Sequence, residues 1–70
     1  MENINYQNME LAQFKKIRRG DTVYVRCGGQ ILTATAVDNA YYNSGDLFPD
    51  WEVETTVGFV HADSAVVLIN

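Results

Sequence analysis

Two alternating runs stand back to back around a pair of glycines, and they constrain the fold more than any other feature of the chain. In "GDTVYVRC", Val23, Val25 and Cys27 alternate with Thr22, Tyr24 and Arg26. A second run, "QILTATAVDN", begins at Gln30. A period of two marks half-buried strands. Only Gly28 and Gly29 separate the runs, and both tolerate the positive φ that a two-residue hairpin turn needs. If they are the whole turn, Cys27 faces Gln30, Val25 faces Leu32 and Val23 faces Ala34. The core face is then Val23, Val25, Leu32, Ala34 and Ala36. A turn longer by one residue would flip the second strand and bring Ile31 and Val37 inside.

The hairpin sets the pattern for the rest. Asn39 to Asp50 reads as a connector, with turn chemistry at Asn43-Ser44-Gly45-Asp46 and a ladder-breaking Pro49. "WEVETTVGFV" alternates again, with Trp51, Val53, Thr55 and Val57 against Glu52, Glu54 and Thr56, and Gly58 marks a bend or bulge within one strand. "HADS" reads as a tight turn or one turn of 3₁₀ helix, and "AVVLI" as a final apolar strand. Upstream, residues 8–19 ("NMELAQFKKIRR") suit a helix: Asn8 can cap it, Glu10 lies in its first turn and the basic residues in its last, with Gly20 as the stop. An extended arm is the alternative. The expected fold is mainly β, a small antiparallel barrel of four or five strands with a short N-terminal helix or arm. Residues 1–70 form a single domain, with 1–19 as helix or arm and 20–70 as barrel. Curling a sheet of this size removes its exposed edges.

Composition narrows the function classes. Seventy residues bury only about 60% of the unfolded surface, so the core is small. A walled catalytic cleft is hard to build beside such a core, which disfavours an enzyme. The net charge is −4. Lys15, Lys16, Arg18 and Arg19 form one basic knot, with Arg26 nearby, and no Lys or Arg follows Gln30. Nucleic-acid binders need positive charge to displace counterions, so direct nucleic-acid binding is disfavoured. A protein partner with a basic surface fits the balance better. The single cysteine, Cys27, permits no internal disulfide and argues for a reducing compartment. The start carries no secretory pattern, and no apolar run has the ~18 residues of a membrane span. A cytoplasmic location without membrane contact is expected.

"RRGDTVYV" is similar to the glycine-aspartate turn that leads into a strand of Src-homology-3-like barrels. "GFVHADSAVVLI" resembles their ending: glycine, two apolar strand residues, a 3₁₀ turn and a last apolar strand. Together these cover about 20 residues, and the resemblance implies the barrel fold. In the peptide-binding members an aromatic groove takes proline-rich ligands. That groove uses paired tyrosines from a long first loop, a tryptophan after the second loop, and a proline-tyrosine pair in the 3₁₀ turn. Here His61 and Ala65 stand in place of that pair, a helix replaces the long loop, and Trp51 follows the third connector. Proline-rich recognition is therefore not implied. Small size, acidity and the lack of catalytic groups also resemble the small inhibitors that phages carry, anti-CRISPR inhibitors among them, in which carboxylates imitate phosphates.

The functional signal lies in "DNAYYNSGDLFPDWEVE", where four aromatics stand among five acids. Tyr41, Tyr42, Phe48 and Trp51 would anchor a partner, ringed by Asp46, Asp50, Glu52 and Glu54. Large rings give contact area at low entropic cost and dominate interface hot spots. The competing reading has Phe48 and Trp51 plugging one end of the barrel. Adjacent strand residues face opposite ways, so one of Tyr41 and Tyr42 should be exposed. Cys27, His61 and Asp63 invite a nucleophile-base-acid reading, but no strained elbow or oxyanion loop accompanies them. One His and one carboxylate do not close a metal site, and no cofactor is implied. The leading expectation is a non-enzymatic interaction module; the rival is a phage-type inhibitor of a nucleic-acid-handling protein. A homo-oligomer could be completed through an edge strand such as Ala65–Ile69 or through the helix face.

Overall fold

The computed structural model describes residues 5–45, 47 and 49–69. Among these the chain forms seven strands, one α-helical turn and one 3₁₀ turn: β1 (Tyr6–Asn8), α1 (Leu11–Phe14), β2 (Thr22–Cys27), β3 (Gln30–Thr35), β4 (Tyr41–Asn43), β5 (Asp50–Thr55), β6 (Gly58–His61), η1 (Ala62–Ser64) and β7 (Ala65–Leu68). They build two antiparallel sheets, ordered β1-β7-β2-β3 and β4-β5-β6.

The β2–β3 hairpin has the register that a two-residue turn dictates: Cys27 pairs with Gln30, Val25 with Leu32 and Val23 with Ala34. Gly28 and Gly29 both have positive φ, 56° and 83°, as a type I′ turn requires. Val23, Val25, Ala34 and Ala36 are buried, and Leu32 packs against them.

The second hairpin departs from the single bent strand expected over Trp51–Val60. The chain reverses at Thr56-Val57, and Thr55 pairs with Gly58. Neither Thr56 nor Val57 has positive φ, so the turn cannot be type I′; Gly58, at φ 112°, absorbs the reversal. The Thr55 hydroxyl supplies the missing turn chemistry. It accepts from Val57 N (3.1 Å) and donates to Gly58 O (2.7 Å). Val57 therefore sits at the turn, exposed, not on the core face.

The N-terminal helix is also shorter than the pattern suggests. Tyr6–Asn8 pair with β7, and Met9 N extends the ladder to Ala65 O (3.0 Å). Asn8 is thus strand, not cap. Glu10 caps instead, in a reciprocal capping box with Gln13. The helix ends at Phe14, before the basic residues, and the chain descends through turns that bury Ile17. So short a helix holds only because Phe14 is fully buried.

Phe14, Ile17, Val23, Val25, Ala34, Ala36, Val53, Val60 and Ala65 form the core between the sheets. The sheets meet at one corner, where Ala36 bridges Thr55 and Thr56 N bonds Thr35 O (3.0 Å). The chain thus passes from one sheet to the other along β3 and β4. Among the described residues no closed barrel forms: β6 pairs only with β5, and β1 only with β7. At the open side η1 packs against β5 and β2. β7 is flanked by β1 and β2, so the expectation of an edge strand at Ala65–Ile69 is corrected. No helix among the described residues is long and apolar enough to cross a membrane.

Candidate functional site

A bulge in the strand that changes sheets builds the most elaborate polar site in the described structure. Val37 N bonds Glu54 O (2.9 Å), and Tyr41 pairs with Glu52. Four steps along one strand are thus matched by two along β5, and Asp38–Ala40 bulge out. The bulge is tied to the segment after α1: Ala40 N bonds Ile17 O (3.1 Å) and Arg19 N bonds Asn39 Oδ1 (3.0 Å). Its effect is to set Tyr41 directly across from Glu52, which in turn lies across from His61 on β6.

Tyr41, Glu52 and His61 therefore form a row across three strands, on the face turned away from the core. Glu52 sits at its centre, only 5% exposed. Its Oε1 accepts from the Tyr41 hydroxyl (2.5 Å) and from Asn43 Nδ2 (2.9 Å), while Oε2 lies 3.6 Å from His61 Nδ1. The hydrogen bonds from Tyr41 and Asn43 hold its carboxyl below the usual range; burial opposes them, and His61 assists. Tyr41 shows the reciprocal effect. Its hydrogen bond to Glu52, then burial, then the charges of Glu52, Glu54 and Asp38 push its phenol up to about 12.

Two neighbours complete the face. Glu54, exposed, pairs across the strands with Phe59, which is 60% exposed. Glu54 and Asp38 form no ion pair among the described residues; the one recorded pair is His61 with Glu52. The outer face of the second sheet is thus a negatively charged surface bearing two accessible rings, Tyr41 and Phe59.

The residues singled out in the sequence divide between the two faces of this sheet. Tyr41, Asp50, Glu52 and Glu54 share the outer parity. Tyr42 and Trp51 pair with each other on the opposite side, with ring centroids 6.2 Å apart and edge-on. Trp51 packs partly buried against the core, and Lys15 Nζ lies 5.2 Å from its ring centroid. Tyr42 stays exposed, as does Tyr41. Asp50 is half-buried and accepts from Trp51 N through Oδ1 (2.7 Å). Asp46 and Phe48 lie outside the described residues. Glu52, expected among the rim acids, is sequestered because Tyr41, Asn43 and His61 close over it. Phe59 was missed: its outward parity follows only once the β5–β6 turn is placed at Thr56-Val57.

Cys27 and His61 both line a groove of about 220 Å³ between the sheets, together with Val25, Leu32, Val57 and Val60. His61 turns Nδ1 to Glu52, while Asp63 is approached by the Ser64 hydroxyl (3.5 Å). The carboxylate beside His61 is therefore Glu52, not Asp63. No three His, Cys, Asp or Glu residues gather in a metal-holding group among the described residues. No protein family matches the chain, and no curated protein or solved structure matches it.

Proposed function

We propose that the chain is a non-enzymatic protein-interaction module, and that its docking surface is the outer face of the β4-β5-β6 sheet. The observation that carries this reading is the Glu54–Phe59 cross-strand pair: an exposed ring beside an exposed, unpaired carboxylate, with Tyr41 and Asp38 at hand. Apolar anchors ringed by like charge suit a partner with basic residues around an apolar contact. The rival reading, a phage-type acidic inhibitor that imitates nucleic acid, draws less support. Such mimicry needs carboxylates spaced along an exposed ridge, and Glu52, in the middle of the face, is already engaged by three side chains.

The test is affinity capture from lysate with wild type, Phe59→Ala and Glu54→Lys. Both residues are exposed, so both variants should fold, which circular dichroism checks. The expected outcome is loss of the same partner from both, with the wild-type complex weakening as salt rises. Folded variants that retain every wild-type partner would remove the proposal.

A further inference from the structure

The edge beside this face has a feature the proposal leaves unused. β6 ends its sheet, and among the described residues its backbone has no hydrogen-bonded strand other than β5. The strand is "GFVH", without the lysine, acid or proline that usually blunts an exposed edge. Beside the edge lies the groove walled mainly by Val25, Leu32, Val57 and Val60, with Arg26 and Phe59 also in its lining. At about 220 Å³ it falls below the roughly 300–1,000 Å³ of a site for drug-sized ligands, so it suits individual side chains. On the outer parity of the same edge stand Phe59, which is exposed and also borders the groove, and, one strand further in, Glu54.

A strand laid along β6 would present its side chains alternately to these two environments, because the strand period is two. Inward residues would meet the apolar groove. Outward residues would lie over the Phe59 ring, facing Glu54 two strand spacings (roughly 10 Å) away. A long cationic side chain spans that gap, with its stem on the ring and its head at the carboxylate. The geometry points to strand addition at β6 by an extended segment of a partner protein in which apolar residues alternate with arginine or lysine. This rests on the outer-face reading and adds the conformation and sequence pattern of the ligand. Main-chain bonds to the edge would supply affinity, and the two environments would supply selectivity.

The probes are two acetylated, amidated peptides of one composition: alternating Arg-Val-Arg-Val-Arg and blocked Arg-Arg-Arg-Val-Val. Titration of the full chain is followed by NMR, with amide hydrogen exchange read at Gly58–His61. The alternating peptide should bind saturably and slow β6 exchange by about tenfold. The blocked peptide should bind at least about fivefold more weakly, and Glu54→Lys should cost the alternating peptide about tenfold. Equal affinity for the two peptides, lost on Glu54→Lys but without protection of β6, overturns strand addition and leaves the outer-face reading standing. Binding indifferent to both Glu54→Lys and Phe59→Ala overturns both. No binding by either peptide overturns strand addition.

Discussion

Phe14 offers the sharpest test of how the N-terminal segment belongs to the fold. Its side chain is fully buried although it comes from a helix of four residues. Removing a buried phenylalanine side chain costs about 3–5 kcal/mol. At ~0.05–0.15 kcal/mol per residue, a chain of this length holds only about 3.5–10 kcal/mol in total. Phe14→Ala should therefore remove at least about a third of that stability. Phe14→Leu retains most of the apolar volume and should cost about 1–2 kcal/mol. For so small a domain that lowers Tm by about 5–15 °C. Leu11→Ala, at a position 47% exposed on the same helix, is the control and should cost no more than about 0.5 kcal/mol. Thermal melts by circular dichroism read the shifts, and urea melts with unchanged slope confirm that stability alone has changed. If Phe14→Ala and Phe14→Leu both melted with wild type, the packing of α1 on the core would be wrong and the N-terminal segment would be a detachable arm.

Acid should weaken the fold through Glu52. A carboxyl whose folded-state pKa is lowered contributes stability above its ordinary range and loses it as pH falls through the lowered value. Tm should therefore fall as pH drops below the ordinary carboxylate range, and Tyr41→Phe, which removes the leading cause of the shift, should shrink that fall. At the alkaline end the sign reverses: the contribution of Tyr41 is complete below pH 10 and is lost as pH rises through about 12. Ultraviolet titration should show one of the four tyrosines ionising near that value, and Glu52→Gln should bring it back toward 10. Gly58→Ala should destabilise by about 1–2 kcal/mol, because its φ of 112° disfavours any side chain although no atom lies within 4 Å of the added carbon. A denaturant midpoint equal to wild type would contradict that backbone assignment.

What the sequence disclosed and what it concealed follow from how local each determinant is. The β2–β3 register was legible because two glycines fix the turn length, and turn length fixes which residues face inward. The 3₁₀ turn at Ala62–Ser64 and the strand after it were legible because a short polar turn, "HADS", leads directly into the apolar run "AVVLI". The β5–β6 hairpin was not, since Thr56-Val57 contains none of the usual turn residues and depends on the Thr55 hydroxyl. The recruitment of Tyr6–Asn8 into a strand was equally hidden, because its cause is β7, some sixty residues away. At the candidate site, parity alone separates Tyr41 from Tyr42. The burial of Glu52 needs the bulge at Asp38–Ala40, and nothing in those residues announces a strand changing sheets.

The pairing of Tyr6 with Leu68 has a consequence for how the molecule comes into being. During synthesis β1 emerges some sixty residues ahead of β7, its ladder partner among the described residues. β2 likewise lacks its neighbour on that side until β7 arrives. β7 therefore completes two interfaces at once, and a nascent chain stalled just before Ala65 would present two unsatisfied edges to any chaperone or protease nearby.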